Sequence, residues 1–172
     1  LLQNPPRIGG PGRTVEIDES LFSQRKNHAG RLLPQQWVFG GYCRETKESF
    51  LCAVGDRSAA TLLPIIEEAM LPETTIMSDE WAAYNNIRQI PGRNYQHLTV
   101  NHTYNFVNPV TSAYTQGIES TWRNAKMKNK RQFGTSRRML DTYLCDLWRA
   151  RLQGQGPFEA ILQDIAAFSP PA

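Results

Sequence analysis

Thr14-Val15-Glu16-Ile17-Asp18-Glu19-Ser20 alternates apolar and polar residues, and a period of two is that of a β-strand with one face against a core. The spacing predicts a short strand that ends at Asp18 and delivers a carboxylate at the edge of a sheet. Thr75-Ile76-Met77-Ser78-Asp79-Glu80-Trp81 repeats the arrangement, with Asp79 following the apolar run. Thr115-Gln116-Gly117-Ile118-Glu119-Ser120-Thr121-Trp122 reads differently, as the opening turn of a helix that carries Glu119. Three separated acids that a fold can bring together are what a pair of divalent cations needs to cut or join phosphodiesters.

Outward from the first segment, Trp37-Val38-Phe39-Gly40-Gly41-Tyr42-Cys43 and Phe50-Leu51-Cys52-Ala53-Val54 are apolar runs of strand length, which makes a three-stranded meander of the opening half. Ser58 is placed to N-cap a helix through Leu62, Leu63, Ile65, Ile66, Ala69 and Met70, in which Pro64 should kink the helix or mark a later start. A strand over 74–77 leads to Asp79, and Trp81, Ala82, Tyr84 and Ile87 then have helical spacing over about three turns. Residues 95–100 form another strand, 101–114 a loop, and 115–130 and 138–152 two long helices, the second with the stripe Leu140, Tyr143, Leu144, Leu147 and Trp148. A short helix with Phe158, Ile161, Leu162, Ile165 and Phe168 follows Gly154-Gln155-Gly156-Pro157. The order β-β-β-α-β-α-β-α-α describes an α/β domain with a mixed sheet of about five strands flanked by helices, and additional C-terminal helices. Residues 1–13 are expected to be an irregular leader, 14–152 the domain itself, and 153–172 a linker and short helix.

At 172 residues the chain suits one full domain with its own core. The net charge of +3 does not by itself demand a polyanionic partner, but its distribution is informative. Arg123, Lys126, Lys128, Lys130, Arg131, Arg137 and Arg138 follow one another with no acid among them, a basic patch of the kind that binds nucleic acid. Three cysteines without CxxC spacing argue against a disulfide framework and a zinc site, and fit a reducing compartment. No apolar run has the length of a membrane span and no secretory signal is expected.

On a helix, Lys126 falls about 20° from Glu119 around the axis, Lys130 about 20° to the other side, and Arg123 about 40° off. One face therefore carries a carboxylate followed by three cations, while Ile118, Trp122 and Ala125 occupy an adjacent apolar face. That layout suits a metal-binding acid with a basic track for phosphates. Taken singly, each feature has a commoner structural role: a turn or cap for Asp18 or Asp79, a surface pair for Glu119 and Arg123, a solvated face for the basic run. Strand alternation sets Glu16 on the same side as Asp18 and Glu19 on the opposite side, so neither Glu is chosen with the acids, and Glu80 is set aside as a neighbour of Asp79. His28 and His97 are structural or loop residues; His102, before the loop to Glu119, is a further site candidate.

Gly40-Gly41 after Trp37-Val38-Phe39, Asp56-Arg57-Ser58, Ser78-Asp79-Glu80-Trp81-Ala82-Ala83-Tyr84, Val100-Asn101-His102, Phe106-Val107-Asn108-Pro109 and Gln116-Gly117-Ile118-Glu119-Ser120-Thr121-Trp122 occur in order. Over residues 10–152 the chain resembles the catalytic domain of ISXO2-like transposases, the group with bacterial IS1595-type elements and eukaryotic Merlin transposons. The resemblance implies a ribonuclease H-like fold and DDE chemistry, with Asp18, Asp79 and Glu119 as catalytic acids and ligands of two Mg²⁺ or Mn²⁺ ions. It implies cleavage and strand transfer of DNA phosphodiesters, with Arg123, Lys126 and Lys130 on DNA phosphates. Double-stranded DNA, as transposon ends and target, would be the partner of a homodimer, and no membrane is involved. Asn108, Tyr114 and Gly117 depart from the residues more usual around the third acid, and the family's N-terminal DNA-recognition region is not seen here. The alternative is a catalytically inactive, transposon-derived DNA-binding or interaction protein. The compartment follows the host, the nucleus for a eukaryotic copy, towards which the motifs lean, and the cytoplasm with its nucleoid for a bacterial one.

Overall fold

The computed structural model of the protein describes residues 7–23, 36–101, 114–131 and Leu144. Along the chain these form β1 (Ile8–Gly9), β2 (Thr14–Ser23), β3 (Gln36–Cys43), β4 (Ser49–Val54), α1 (Ala59–Ala69), β5 (Met70–Leu71), β6 (Thr75–Ser78), β7 (Gln96–Thr99) and α2 (Gln116–Arg131). The expected helix over 138–152, the last short helix and His102 lie outside the described residues.

Five strands make one mixed sheet in the order β4-β3-β2-β6-β7. β2, β3 and β4 are the antiparallel meander, and β6 and β7 join β2 in parallel. A separate parallel pair, β1 with β5, matches Ile8 to Met70 within the stretch read from sequence as irregular.

Alternation decides what each face of the sheet buries. Val15 and Ile17 of β2, Phe39 and Cys43 of β3, and Phe50 and Val54 of β4 pack on one side with Leu62, Ile66 and Ala69 of α1. Val38 of β3 on the other side packs with Ile118 and Trp122 of α2 and with Leu144, flanked by Phe22, Tyr42, Leu51 and Ala53. The sheet is thus a middle layer between α1 and α2, and its two faces carry separate cores.

Two elements differ from the sequence reading. β2 does not stop at Asp18 but runs to Ser23, because the partner β3 continues beside it and pairs Asp18 with Gly40, Ser20 with Val38 and Leu21 with Trp37. The span expected as a helix after Asp79 consists of two 3₁₀ turns, Ala82–Tyr84 and Ile87–Gln89. Asn85 and Asn86 separate those turns, and asparagine competes with helical bonding through its own side chain. Pro64 lies inside α1 without ending it; it is exposed, while Leu62, Ile66 and Ala69 secure the buried side. The Ser58 cap forms as read, with the Thr61 amide donating to Ser58 Oγ at 3.3 Å.

Candidate active site

β2 carries its acids to opposite faces. Glu16 and Asp18 point to the α2 side, where the Ile118 amide and the Trp122 indole reach them. Glu19 points to the α1 side, where it accepts a hydrogen bond from the Tyr84 hydroxyl and pairs with Arg57 Nη1 at 3.6 Å.

Glu16 is fully buried, with 0% of its surface exposed. Arg44 Nε donates to its Oε1 at 2.7 Å and the Ile118 amide to its Oε2 at 2.9 Å. Arg44 also donates through Nη2 to the Tyr114 carbonyl at 2.5 Å and lies over the Tyr114 ring, 3.4 Å from its centroid. One carboxylate therefore binds a strand, a turn and the first turn of α2, where unsatisfied helix amides favour negative charge. Gly117 makes this approach feasible: a Cβ there would meet the Tyr42 ring at 2.4 Å and Glu16 Oε2 at 2.9 Å.

With α2 anchored at Ile118, Trp122 comes one turn later and donates its indole N–H to Asp18 Oδ2 at 2.9 Å. Its ring lies across the sheet at Gly40, where a Cβ would sit 2.9 Å from Trp122 Cη2 and 3.1 Å from the Phe50 carbonyl. The Glu19 amide donates to Asp18 Oδ1 at 2.8 Å. Asp18 thus has a donor on each oxygen and a fixed carboxylate plane.

Asp79 comes to the neighbourhood of Asp18 from the end of β6. The parallel β2–β6 pairing ends with Glu16 matched to Met77 and β6 ends at Ser78, so Asp79 follows directly after the strand beside β2, near enough for its charge to act on Asp18. Asp79 Oδ1 accepts from the Trp81 amide at 3.0 Å. Burial pushes the Asp18 carboxyl up to about 7, and the carboxylates of Glu19 and Asp79 push in the same direction, against the donors on its oxygens. Glu19 is also raised, chiefly by burial, with the Tyr84 hydroxyl opposing. Carboxylate oxygens such as those of Asp18 and Asp79 are the ligand type a hard divalent cation prefers.

Glu119 is exposed on the first turn of α2, with Thr115 Oγ1 donating to its Oε1 at 3.4 Å. Among the described residues, no three His, Cys, Asp or Glu side chains stand at metal-holding spacing, so the structure brings Asp18 and Asp79 together but does not gather Glu119 with them. Arg123, Lys126 and Lys130 are exposed on α2, as is Glu119, while Ile118, Thr121, Trp122 and Ala125 are buried. The half-buried or exposed Arg57 and Trp81, and the buried Glu16, also belong to this region. Their places depend on contacts between distant segments, for which strand and helix periodicity has no signal.

The sequence profile of the ISXO2-like transposase domain matches residues 9–149. An uncharacterized transposase-like protein of Haemophilus influenzae is 28% identical over 102 residues, which are 58% of this chain and 78% of that protein. Among solved structures, the catalytic core domain of BIV integrase superposes with a TM-score of 0.54 at 10% identity, over 91% of this chain and 98% of that one. The HTLV-2 integrase catalytic core domain, in complex with magnesium and in dimeric form, gives 0.54 at 12% identity, over 92% and 97%. A chain of a simian T-cell lymphotropic virus intasome in complex with PP2A regulatory subunit B56 gamma gives 0.53 at 14% identity, over 86% of this chain and 50% of that one. At such identities the likeness shows the fold, that of an integrase catalytic core, which is ribonuclease H-like.

Two outcomes follow from the geometry. Glu16→Ala should cost about 3 kcal/mol in urea unfolding, the lower end for removing one partner of a buried ion pair, since Arg44 keeps Tyr114; Glu16→Gln should recover part of this by accepting the Ile118 amide. Asp18 binds its proton more tightly folded than unfolded, so metal-free protein should lose stability as pH rises from about 4 to about 7. Thermal melts across that range should show the decline, and Asp18→Asn should flatten it and melt higher than wild type at pH 8.

Proposed function

This chain belongs to the ISXO2-like transposase domain family, and on that premise we propose that it cuts and joins DNA phosphodiesters through Asp18, Asp79 and Glu119. The observation that carries the reading is the nearness of Asp18, in β2, to Asp79, just past the end of the neighbouring β6, with the Asp18 carboxyl pushed up by burial and by the charges of Glu19 and Asp79. Asp18 and Asp79 would hold divalent cations, two Mg²⁺ or Mn²⁺, with Glu119 of α2 completing the set. Bound there, the ions would stabilise both the attacking and the leaving oxygens of an in-line displacement at phosphorus.

The chain's own residues prepare that chemistry. The Trp122 indole and the Glu19 amide orient the Asp18 carboxylate, so its remaining lone pairs have a set direction. The Trp81 amide does the same for Asp79. Glu16 and Arg44 hold the start of α2 against the sheet, which keeps Glu119 on a rigid element rather than a loop. Arg123, Lys126 and Lys130, exposed along α2, would take backbone phosphates and set position without reading sequence.

The unit of catalysis is the domain read over residues 14–152, to which β1 (Ile8–Gly9) also belongs through its pairing with β5. Its partner is double-stranded DNA, transposon ends and target, and two copies of the chain are needed to hold two ends together. It works where the host keeps its DNA, in the nucleus of a eukaryotic host, the preferred reading, or in the cytoplasm with its nucleoid in a bacterial one.

Nicking of supercoiled plasmid in Mg²⁺ or Mn²⁺ tests the reading. The wild type should nick only with metal, and Asp18→Asn, Asp79→Asn and Glu119→Gln should each lower the rate by about 100-fold or more. Undiminished nicking by Glu119→Gln would remove Glu119 from the site. Salt-dependent DNA binding without any metal-dependent nicking would favour a transposon-derived binding protein that does not cut.

A further inference from the structure

Trp81 stands two residues beyond Asp79 and is tied down at several points. Its amide donates to Asp79 Oδ1 at 3.0 Å, and its indole N–H to the Arg57 carbonyl at 3.1 Å. The Arg57 guanidinium lies 4.6 Å from the Trp81 ring and 4.1 Å from the Trp37 ring, with Nη1 3.6 Å from Glu19 Oε1. Yet Trp81 remains 40% exposed, one of two large apolar side chains so exposed among the described residues.

An exposed indole is ordinarily free to change rotamer, and such a side chain presents no surface of definite orientation. Here the indole hydrogen bond to the Arg57 carbonyl and a cation–π contact with the Arg57 guanidinium hold the ring in place, the backbone amide is tied to Asp79, and much of the ring is left to solvent. We propose that Trp81, braced by Arg57, is a stacking platform for an unpaired nucleobase of DNA beside the Asp18–Asp79 pair. The proposal rests on the preceding section for the polymer and adds a site with a distinct chemistry.

The surroundings favour a nucleotide over an apolar protein anchor. The rim is polar: Arg57 is partly exposed, and Glu80 and Asn101 bond to each other at 2.6 Å nearby in the chain and sheet. The Arg57 guanidinium, itself paired with Glu19, braces the indole and leaves the exposed part of the ring for a base face. Stacking of this kind tolerates any base, since every base has a π-face. It requires an unpaired or unstacked nucleotide, because within a continuous duplex both faces of a base are already covered. The short tether from Trp81 to Asp79 places that nucleotide next to the phosphodiester on which the acids would act.

The test uses the full chain in EDTA, where nothing is cut, with two oligonucleotides: a fully paired duplex, and the same duplex carrying an unpaired stretch that contains 2-aminopurine. Wild type should bind the second DNA more tightly and quench the 2-aminopurine emission. Trp81→Ala should weaken that binding by about tenfold or more and abolish the quenching, with affinity for the paired duplex changed by less than about twofold. Trp81→Phe, which keeps an aromatic face, should retain most of the preference, and thermal melts should confirm that both variants fold. Equal loss on both DNAs, no loss on either, or no binding of either DNA by wild type would overturn the platform. Plasmid nicking separates this from the preceding reading: nicking without the Trp81 effect refutes the platform alone, and the Trp81 effect without nicking refutes the nuclease alone.

Discussion

A carboxylate withdrawn from water must find partners for both oxygens, and Glu16 finds them in Arg44 and in the first turn of α2. The rest of the structure depends on that arrangement. The charge cannot be left unpaired in the interior, so α2 has to begin where its Ile118 amide meets the carboxylate. Gly117 removes the Cβ that would block the approach, and Arg44 extends the tie to Tyr114 ahead of the helix. Once Ile118 is set, the pitch of the helix sends Trp122 across the sheet at Gly40 and onto Asp18. Glu16 thus positions Asp18, and both come from the same face of the same strand.

The opposite face of β2 balances the charge in another way. Glu19 faces the Tyr84 hydroxyl and Arg57, and Arg57 in turn lies between two indoles. Both Glu19 and Asp79 push the Asp18 carboxyl upwards, so the acids influence one another through and around the edge of the sheet. This concentration of negative charge is unfavourable in the free protein, and under the proposed function a bound cation would relieve it, a trade of stability for activity made at many functional sites.

Much of this was legible in the sequence because periodicity reports burial. The alternation around Val15 and Ile17 placed Glu16 with Asp18 and Glu19 across from them, and the structure has that division. The spacing of Ile118, Trp122 and Ala125 correctly marked the buried side of α2. Where β2 ends was not legible, since strand pairing beyond Asp18 depends on β3 and not on local residue type. Trp81, Ala82, Tyr84 and Ile87 have helical spacing, but Asn85 and Asn86 interrupt it and leave two 3₁₀ turns. Glu16 as a clamp and Trp81 as a braced aromatic were hidden for another reason: each gains its meaning from partners 28 and 24 residues away in the chain. Helical spacing sets Glu119 on the face with Arg123, Lys126 and Lys130, and the described structure has it there on α2, exposed and accepting from Thr115.

Isothermal titration of metal-free protein with Mn²⁺ near neutral pH addresses the Asp18–Asp79 pair without requiring a DNA substrate or turnover. Wild type should bind Mn²⁺ saturably, and Asp18→Asn and Asp79→Asn should each lose that binding while remaining folded. Binding of equal strength in wild type and both variants would contradict the assignment of the cation to Asp18 and Asp79.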